Sequence, residues 1–363
     1  MSGDVIVEGL PYPIVLAADA AQSLPPLLGG EAGSAAVVYD NHVEARARAI
    51  IAALHRADID VRAVLPVGGG ESFKTQRSVE AIYTALLGGG ADRRTAVIAI
   101  GGGTVTDVVG FAAATYMRGV RWIAVPTTVL GMADAAIGGK TGIDLPQGKN
   151  LAGAFWNPSA VVADVASLAT LPLAERQTGL AEAVKCAIIG DPPLLDVIER
   201  FSPGADPSGW THIIAAAAGL KARIVASDPR EGGARALLNL GHTVAHALEL
   251  AGSYRMTHGH AVSVGLRAEG LIAGRRVSWP DAEHARMLAV LRRLSLPLHV
   301  EGLSVEQVLR AMKHDKKNVG GRIRFVLPAR IGDVRYGIDV DAGDVRAALQ
   351  ACGQPPDAAE LNG

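Results

Sequence analysis

The sequence predicts an α/β domain followed by a mainly α-helical domain. Three observations support this fold class. The length of 363 residues suits two domains of roughly 100–200 residues each. Short apolar runs alternate with helical patterns in the first half, and long Ala- and Leu-rich helical stretches follow Thr170-Leu171-Pro172. We therefore predict domains over residues 1–172 and 173–363.

The elements of the first half follow one another in a regular order. Each apolar run is followed by an amphipathic stretch, and the predicted segments are strand 35–39, helix 43–56, strand 61–66, helix 78–87, strand 96–100, a helix opening near Thr106, and strand 122–125. Such alternation is typical of βαβ units, so we expect a parallel sheet covered by helices.

Composition and charge exclude several classes of function. Hydrophobic residues make up 49% and charged residues 20%, which indicates a globular chain. The net charge of −1 gives no overall attraction to nucleic acid or to an acidic membrane surface. No run of about 18 uncharged apolar residues suits a transmembrane helix. The only cysteines, Cys186 and Cys352, are too few for a disulfide framework or a thiolate metal site, so we expect a cytoplasmic protein.

A glycine triplet separates a predicted strand from a predicted helix. Gly101, Gly102 and Gly103 would expose unpaired backbone N–H groups at a helix N-terminus, which suits a pyrophosphate. The triplet is not the G-x-G-x-x-G fingerprint, and a tight turn without a ligand is the alternative. Further loops, at residues 68–70 and 127–128, are expected at the same sheet edge and favour nucleotide binding.

Two predicted helices in the second half carry polar groups on one face. In a helix starting near Leu173, Glu182 and Lys185 project away from the apolar stripe; an exposed ion pair is the simpler interpretation. If residues 235–250 form one continuous helix, a single stripe collects Arg235, Asn239, His242, His246 and Glu249. Together with Glu182 and His258 or His260, these histidines predict a divalent metal site, without indicating which three groups bind.

Several cations lie near glycines or loop ends. Each could be a solvated surface charge, but in a chain of net charge −1 their grouping favours a site for a polyanionic small molecule. The residues concerned are Lys140, Lys149, Arg118, Lys221, Arg223, Lys316 and Lys317.

A set of ordered motifs resembles the 3-dehydroquinate synthase family, from about Ser72 to Gly332. The matching stretches are 101–103 with Asp107, 110–119, 125–128, 137–142, 148–151, 179–182, 238–243 and 315–317. The resemblance implies an N-terminal Rossmann-like NAD-binding domain, a helical metal-binding domain and a substrate in the cleft between them. It also implies NAD and one divalent metal, zinc or cobalt, as cofactors.

The resemblance assigns roles position by position. It implies that the metal ligands are Glu182, His242 and His258. The NAD contacts would be Asp40, Glu71, Lys74, Gly101, Gly102, Gly103, Asp107, Thr127, Thr128, Lys140, Lys149, Thr170 and Glu175. The groups around the substrate would be Asp134, Lys140, Asn150, Lys185, Lys221, Arg235, Asn239, His246, Lys316 and Lys317, with Arg118 reaching in from the second subunit of a homodimer.

The implied activity is that of a carbon–oxygen lyase of the shikimate pathway. NAD would transiently oxidise 3-deoxy-D-arabino-heptulosonate 7-phosphate, phosphate would leave, the hydride would return, and an internal aldol closure would give 3-dehydroquinate. The alternatives are a related sugar phosphate cyclase of secondary metabolism, such as an amino-dehydroquinate synthase, and a metal-dependent polyol dehydrogenase. A non-catalytic scaffold is disfavoured by the intact metal and cation set.

Overall fold

The computed structural model describes residues 4–29, 33–204, 207–252, 256–313 and 323–363. The chain divides into two compact units. The first comprises residues 1–172 and 206–226, and the second comprises residues 173–205 and 227–363. Within the described residues, no helix is both long and apolar enough to cross a membrane.

The first unit is an α/β fold. Its elements in chain order are β1 (Val5–Val7), β2 (Ile14–Ala17), α1 (Ala20–Leu28), β3 (Ser34–Asp40), α2 (Glu44–Arg56), β4 (Asp60–Val67), α3 (Gln76–Gly88), β5 (Thr95–Gly101), α4 (Gly103–Thr115), β6 (Trp122–Pro126), β7 (Lys140–Leu145), β8 (Gly148–Phe155) and β9 (Ala160–Asp164). The predicted alternation of strands and helices is confirmed, with boundaries shifted by up to three residues.

Seven strands form one sheet in the order β1-β2-β9-β6-β5-β3-β4. Only β1 runs antiparallel to its neighbour; all other pairs are parallel. Every residue of β5, β6 and β9 is buried, as expected of parallel strands that helices cover on both faces. This burial explains why these strands appear in the sequence as continuous apolar runs.

The sheet has a switch point between β3 and β5. From β3 the chain moves outward to β4, then returns to the other side of β3 as β5. In open α/β sheets, ligands bind beyond the carboxyl ends of the strands at such a point. Asp40 ends β3 and Gly101 ends β5, so both lie at this edge.

The second unit is mainly helical. It contains α5 (Leu173–Gly190) and α6 (Pro192–Arg200), and after α7 (Pro207–Ser227) it continues with α8 (His242–Ala251), α9 (His258–Arg276), α10 (Asp281–Arg293), α11 (Val305–Lys313), β10 (Arg324–Arg330), β11 (Asp333–Asp339), α12 (Ala342–Ala351) and α13 (Ala358–Asn362). Strands β10 and β11 form an antiparallel hairpin. The predicted fold class, an α/β domain followed by a mainly helical domain, is confirmed.

Helix α7 departs from the single predicted boundary after residue 172. Residues 206–226 belong to the first unit although they follow α5 and α6 in sequence. Two contacts account for this. Gly9 lies against α7, where an added Cβ would be in van der Waals contact with the Ala222 Cβ at 3.6 Å, and Lys221 pairs with Asp134. A linear boundary cannot describe a segment that returns to the first unit.

The predicted continuous helix over residues 235–250 is wrong. A 3₁₀ turn covers Ala234–Asn239, the backbone is extended at Leu240, and α8 begins at His242. Gly241 adopts a left-handed conformation with φ of 80°, which glycine accepts without steric cost. A residue of another helix stabilises this break, because the Gly241 N–H donates to the buried Glu269 carboxylate of α9 at 2.6 Å.

Candidate functional site

The glycine triplet joins β5 to α4: Gly101 is the last residue of β5 and Gly103 is the first residue of α4. None of the three residues has a positive φ, so conformational freedom is not the reason for glycine here. Space is the reason: a Cβ on Gly103 would lie 2.8 Å from the Ala135 Cβ, and one on Gly102 would lie 3.3 Å from Thr128 Cγ2. The triplet therefore forms a crowded, side-chain-free surface at a helix N-terminus, which is suited to a phosphate group.

Other predicted cofactor-binding residues share this edge of the sheet. Thr127 is buried and its N–H donates to the Gly101 carbonyl at 3.0 Å, which joins the ends of β5 and β6. Asp40 ends β3, and Gly69 approaches it so closely that a Cβ there would lie 1.9 Å from a carboxylate oxygen. Thr170 is exposed and belongs to the first unit, whereas Glu175 is exposed on α5 of the second.

Lys74 is a buried cation in the first unit. Its ammonium donates to the Asp107 carboxylate at 2.8 Å and to the Asn150 side-chain oxygen at 2.6 Å, and the residue is 5% exposed. Burial acts to lower the pKa of Lys74, but Asp107 and Glu71 outweigh it and raise that pKa. Burial also raises the pKa of Asp107. Lys74 therefore stays charged and holds two side chains from different elements.

Lys140 and Lys149 lie on a hairpin rather than on isolated turns. Each lies at the start of a strand, β7 or β8, and the two strands pair antiparallel with Lys140 opposite Phe155. The neighbouring glycines permit close backbone approach: a Cβ on Gly153 would lie 2.2 Å from the Thr141 carbonyl oxygen. Lys140 is exposed, and Lys149 pairs with Glu71 at 3.1 Å.

Asn150 and Asp134 each hold an unusual backbone position. Asn150 has φ of 53°, and its N–H donates to Asp144 at 2.8 Å. Asp134 lies in a π-helical turn over Gly131–Ala135, and its carboxylate lies 2.9 Å from the Lys221 ammonium. Since Lys221 is 7% exposed, this pair is largely shielded from solvent.

Three residues of the second unit could hold a metal ion. One ligand atom each from Glu182, His242 and His258 lies within 4.8 Å of the others. The two imidazole Nε2 atoms lie 3.4 and 3.3 Å from the same Glu182 oxygen. One carboxylate and two imidazoles form a donor set that catalytic zinc sites use, leaving a fourth position open.

Burial makes Glu182 an unusual carboxylate. It is fully buried on α5 and pairs with Lys185, which is 1% exposed, so the simpler interpretation as a surface ion pair is wrong. Among the described residues, neither Glu182 oxygen accepts a well-formed hydrogen bond, although ion pairs surround it. A cation bound between the three ligand atoms would satisfy these oxygens. The donor set therefore fits a divalent metal.

The electrostatics of this cluster shift the pKa values of the two histidines in opposite directions. Burial acts to raise the pKa of Glu182, but Lys185 and the imidazoles hold it well below its usual range. Burial and Lys185 lower the pKa of His242 well below 6.5. For His258, burial is outweighed by Glu182 and Glu249, which raise its pKa to about 10. Without metal, His242 is neutral and His258 carries a proton at neutral pH.

Of the other members of the predicted stripe, His246 lies beside this cluster, whereas Arg235 and Asn239 contact the segment over residues 229–231. His246 is exposed, and its ring lies edge-on to His242 with the centroids 5.4 Å apart. Arg235 is buried, and its guanidinium donates to the Pro229 carbonyl at 2.6 Å. Asn239 donates to Glu231 at 3.0 Å. Arg118 is exposed in the first unit with φ of 69°. Lys316 and Lys317 lie outside the described residues.

The sequence interpretation missed two acidic residues, Asp144, which holds the Asn150 backbone, and Glu269, which holds the Gly241 amide. Glu249, which the predicted stripe included without a role, lies 3.6 Å from His258 Nδ1. A signal was present for Glu269, since an acid between Ala268 and Gly270 in an apolar helical stretch is unusual. No local pattern indicated a role for Asp144.

The chain matches two parts of one family. Residues 64–178 match the N-terminal part of 3-dehydroquinate synthase, and residues 179–318 match its C-terminal part. The 3-dehydroquinate synthase of Methylacidiphilum infernorum is 42% identical over 299 residues, or 82% of each chain. That of Symbiobacterium thermophilum is 42% identical over 305 residues, covering 83% of this chain and 85% of the relative.

Solved structures share the fold. A 2-epi-5-epi-valiolone synthase of Streptomyces hygroscopicus with NAD⁺ and Zn²⁺ bound has a TM-score of 0.86 at 28% identity, covering 95% of this chain and 98% of that one. A 2-deoxy-scyllo-inosose synthase with carbaglucose-6-phosphate, NAD⁺ and Co²⁺ has a TM-score of 0.85 at 23% identity, covering 96% and 100%. Because two successive family matches span most of the chain and the relatives agree, the chain belongs to the 3-dehydroquinate synthase family.

Proposed function

We propose that this protein is a 3-dehydroquinate synthase, a lyase that converts 3-deoxy-D-arabino-heptulosonate 7-phosphate to 3-dehydroquinate and phosphate. The observation that carries the proposal is the buried Glu182 carboxylate, which faces His242, His258 and the Lys185 ammonium at once. A metal site beside a buried cation suits a substrate that is anionic as well as polyhydroxylated. The relatives at 42% identity support the same activity.

Glu182, His242 and His258 would hold one zinc or cobalt ion. When bound, the ion supplies Lewis-acid stabilisation to negative charge on substrate oxygens. The protein itself holds the ligand side chains in the required orientation. His242 Nδ1 lies 3.0 Å from the Leu240 carbonyl, which can only accept, so this nitrogen carries the proton and Nε2 is left for the ion. Because His246 is exposed beside this pair, it can bind substrate or carry a proton.

NAD would be held by the first unit, at the carboxyl edge of its sheet. The side-chain-free backbone at Gly102 and Gly103, where α4 begins, suits a pyrophosphate because a helix N-terminus offers N–H groups and a positive dipole end. NAD, when bound, accepts a hydride and returns it within one turnover. The remaining contacts that the resemblance implies are Asp40, Glu71, Lys74, Gly101, Asp107, Thr127, Thr128, Lys140, Lys149 and Thr170 of the first unit, together with Glu175 of the second.

The substrate would be bound and oriented by the polar residues that the family resemblance assigns to it. Lysines suit its phosphate, and the guanidinium of Arg235 suits a planar carboxylate. The proposed set is Asp134, Lys140, Asn150, Lys185, Lys221, Arg235, Asn239, His246, Lys316 and Lys317. Lys185 and Lys221 are already paired with carboxylates, so their ammonium groups are oriented before substrate arrives.

A related sugar phosphate cyclase is the second candidate. The likeness to 2-epi-5-epi-valiolone synthase favours it, since that enzyme shares the fold at a TM-score of 0.86. The 42% identity to 3-dehydroquinate synthases, against 28% to that cyclase, favours the first candidate. A metal-dependent polyol dehydrogenase is disfavoured, because a neutral polyol needs no buried Lys185 or Lys221.

We also propose a cytoplasmic homodimer. Arg118, which the resemblance implies reaches into the site of the second subunit, supports the dimer: it is exposed, and it and Met117 have positive φ, a strained conformation that persists mainly at functional sites. Cys186 and Cys352 are both buried thiols rather than members of a disulfide, which fits a reducing compartment. Light scattering on the purified protein tests the dimer, and a monomeric mass would contradict it.

One assay separates the candidate activities. The protein is incubated with the heptulosonate phosphate, NAD⁺ and zinc, and phosphate release is followed together with NADH absorbance. We expect phosphate in proportion to dehydroquinate and no accumulation of NADH, because the hydride returns to the product. Steady NADH formation from a simple polyol without phosphate release would instead establish a dehydrogenase.

A further inference from the structure

Glu269 is a buried carboxylate that contacts the backbone immediately before a proposed metal ligand. It lies on α9, it is 0% exposed, and one of its oxygens accepts the Gly241 N–H at 2.6 Å. Gly241 precedes His242, the first residue of α8. Burying a carboxylate is costly unless hydrogen bonds compensate, so this contact stabilises one particular backbone arrangement.

That arrangement sets the orientation of the His242 ring. With Gly241 left-handed and Leu240 extended, the Leu240 carbonyl lies 3.0 Å from His242 Nδ1. The carbonyl can only accept, so Nδ1 carries the proton and Nε2 is directed to Glu182 at 3.4 Å. Were residues 239–242 to continue as regular helix, the Leu240 carbonyl would point along the helix axis and this contact would be lost.

Helix α9 is also packed unusually close to the break. Gly265 lies one turn before Glu269, and a Cβ on Gly265 would lie 2.0 Å from the Gly241 carbonyl oxygen. The same helix begins with His258, the second histidine of the cluster. A single helix therefore carries one proposed ligand and fixes the backbone that orients the other.

We propose that Glu269 is a positioning residue of the metal site, acting through the Gly241 amide to fix the His242 imidazole. The inference rests on the proposed function for the metal itself, but not on the identity of the sugar phosphate. Removing a group that orients a metal ligand typically lowers metal affinity by about 10- to 100-fold.

Two substitutions of Glu269 distinguish the effect of its side-chain length from the effect of its charge. In E269Q the side-chain oxygen still reaches the Gly241 N–H, whereas in E269D the charge is kept but the shorter side chain withdraws from it. We expect E269D to weaken zinc binding by about 10-fold or more, and E269Q to retain most of the affinity. E269A should be at least as weak as E269D. The matched control is S263A, which removes another fully buried polar side chain of α9.

Zinc affinity of the metal-stripped proteins is measured by competition with a chromophoric chelator, and the visible spectrum of the Co²⁺ forms reports ligand geometry. An altered cobalt spectrum in E269D and a wild-type spectrum in E269Q and S263A are expected. Thermal unfolding of the metal-stripped proteins identifies a merely structural effect. Wild-type zinc affinity and spectrum in E269D, or a loss of affinity in E269Q and S263A as large as that in E269D, would overturn the inference.

Nitrogen-15 NMR of the histidines gives a readout that needs no metal. In the metal-stripped wild type and in E269Q, we expect His242 to carry its proton on Nδ1, and in E269D we expect a mixture of tautomers. A wild type that takes up no zinc would refute the metal assignment under the proposed function, yet this measurement would still decide the role of Glu269. An unchanged tautomer in E269D would refute that role.

Discussion

The Lys221 ammonium lies 2.9 Å from the Asp134 carboxylate and 2.6 Å from the Asp134 main-chain carbonyl. One cation on α7 thus holds both the side chain and the backbone of the π-helical turn over Gly131–Ala135. The contact joins a late segment of the chain to the first unit. It also leaves the ammonium oriented, because two of its directions are already fixed.

Replacing Lys221 with methionine should impair turnover and stability together. We expect turnover of the heptulosonate phosphate to fall at least about 10-fold, and the free energy of unfolding to fall by about 1–3 kcal/mol, because Asp134 loses its charged partner. Arg223→Met is the matched control, since Arg223 is exposed two residues further along α7. It should stay within about 0.5 kcal/mol of wild type. Unchanged turnover in K221M would remove Lys221 from the substrate set.

Zinc retention should depend on Glu182, His242 and His258. Removing one of three protein ligands leaves an ion weakly held, so E182Q, H242A and H258A should lose zinc on dialysis. H246A and H260A should retain it, because neither residue belongs to the cluster of ligand atoms within 4.8 Å. Metal content of each dialysed variant is the measurement. A loaded H258A beside an empty H246A would show that the ligand assignment is wrong.

Zinc affinity should rise with pH because zinc competes with a proton on His258. The pKa of His258 is about 10 in the metal-free protein, above its ordinary 6.5, so its ion pairs stabilise that form below pH 6.5 and are lost as pH rises through 10. His242, with a lowered pKa, is already neutral at pH 7. We expect about 10-fold tighter binding per pH unit between pH 7 and 9. An affinity that is constant between pH 7 and 8 would contradict the protonated state of His258.

The parallel sheet was predictable because its signals are local. Strands such as β5 are buried on both faces and therefore appear as unbroken apolar runs, and α2 shows the period of an amphipathic helix. The β7–β8 hairpin was not predicted, because the glycines near Lys140 and Lys149 are typical of loops. In the structure, Gly142 and Gly153 face each other across the hairpin, where a side chain would collide with the opposite backbone.

The metal cluster was predictable in composition but not in geometry. Histidines four residues apart on one helix indicate a shared face, and that spacing holds for His242 and His246 within α8. The break before α8 was not predictable from the local pattern, because a single glycine in a helical stretch is often tolerated. It is decided by Glu269, 28 residues away in sequence, whose carboxylate accepts the Gly241 amide.

The C-terminal helix should be held in place by an ion pair that fails in acid. Arg267 donates to both Glu360 oxygens, at 2.6 and 2.7 Å, and His284 lies 3.3 Å away. Burial opposes ionisation, but these partners lower the pKa of Glu360 to about 2 from 4.5. The stabilisation is therefore present above pH 4.5 and is lost as pH falls towards 2.

Substituting Glu360 with glutamine should lower the free energy of unfolding by about 1–3 kcal/mol at pH 7, because the buried Arg267 loses its charged acceptor. The difference from wild type should shrink below pH 4 in chemical denaturation. E306Q is the matched control, since Glu306 pairs with Arg346 at the exposed surface and should change stability by less than about 1 kcal/mol. Equal effects of the two substitutions would contradict the importance of burial.

Substrate choice should depend on Arg235. A guanidinium can make two parallel hydrogen bonds to a carboxylate, and Arg235 is buried and anchored through the Pro229 carbonyl, so its direction is fixed. We expect R235A to lower turnover of the heptulosonate phosphate at least about 10-fold while zinc and NAD binding survive. R235K should restore only part of the rate, because an ammonium cannot make the paired contact. The exposed Arg230 offers the control R230A, which should retain the wild-type rate.

The measurement compares rates with the carboxylated substrate and with glucose 6-phosphate, which lacks a carboxylate. If wild type prefers glucose 6-phosphate, or R235A leaves the first rate unchanged, the protein is another sugar phosphate cyclase of the same fold.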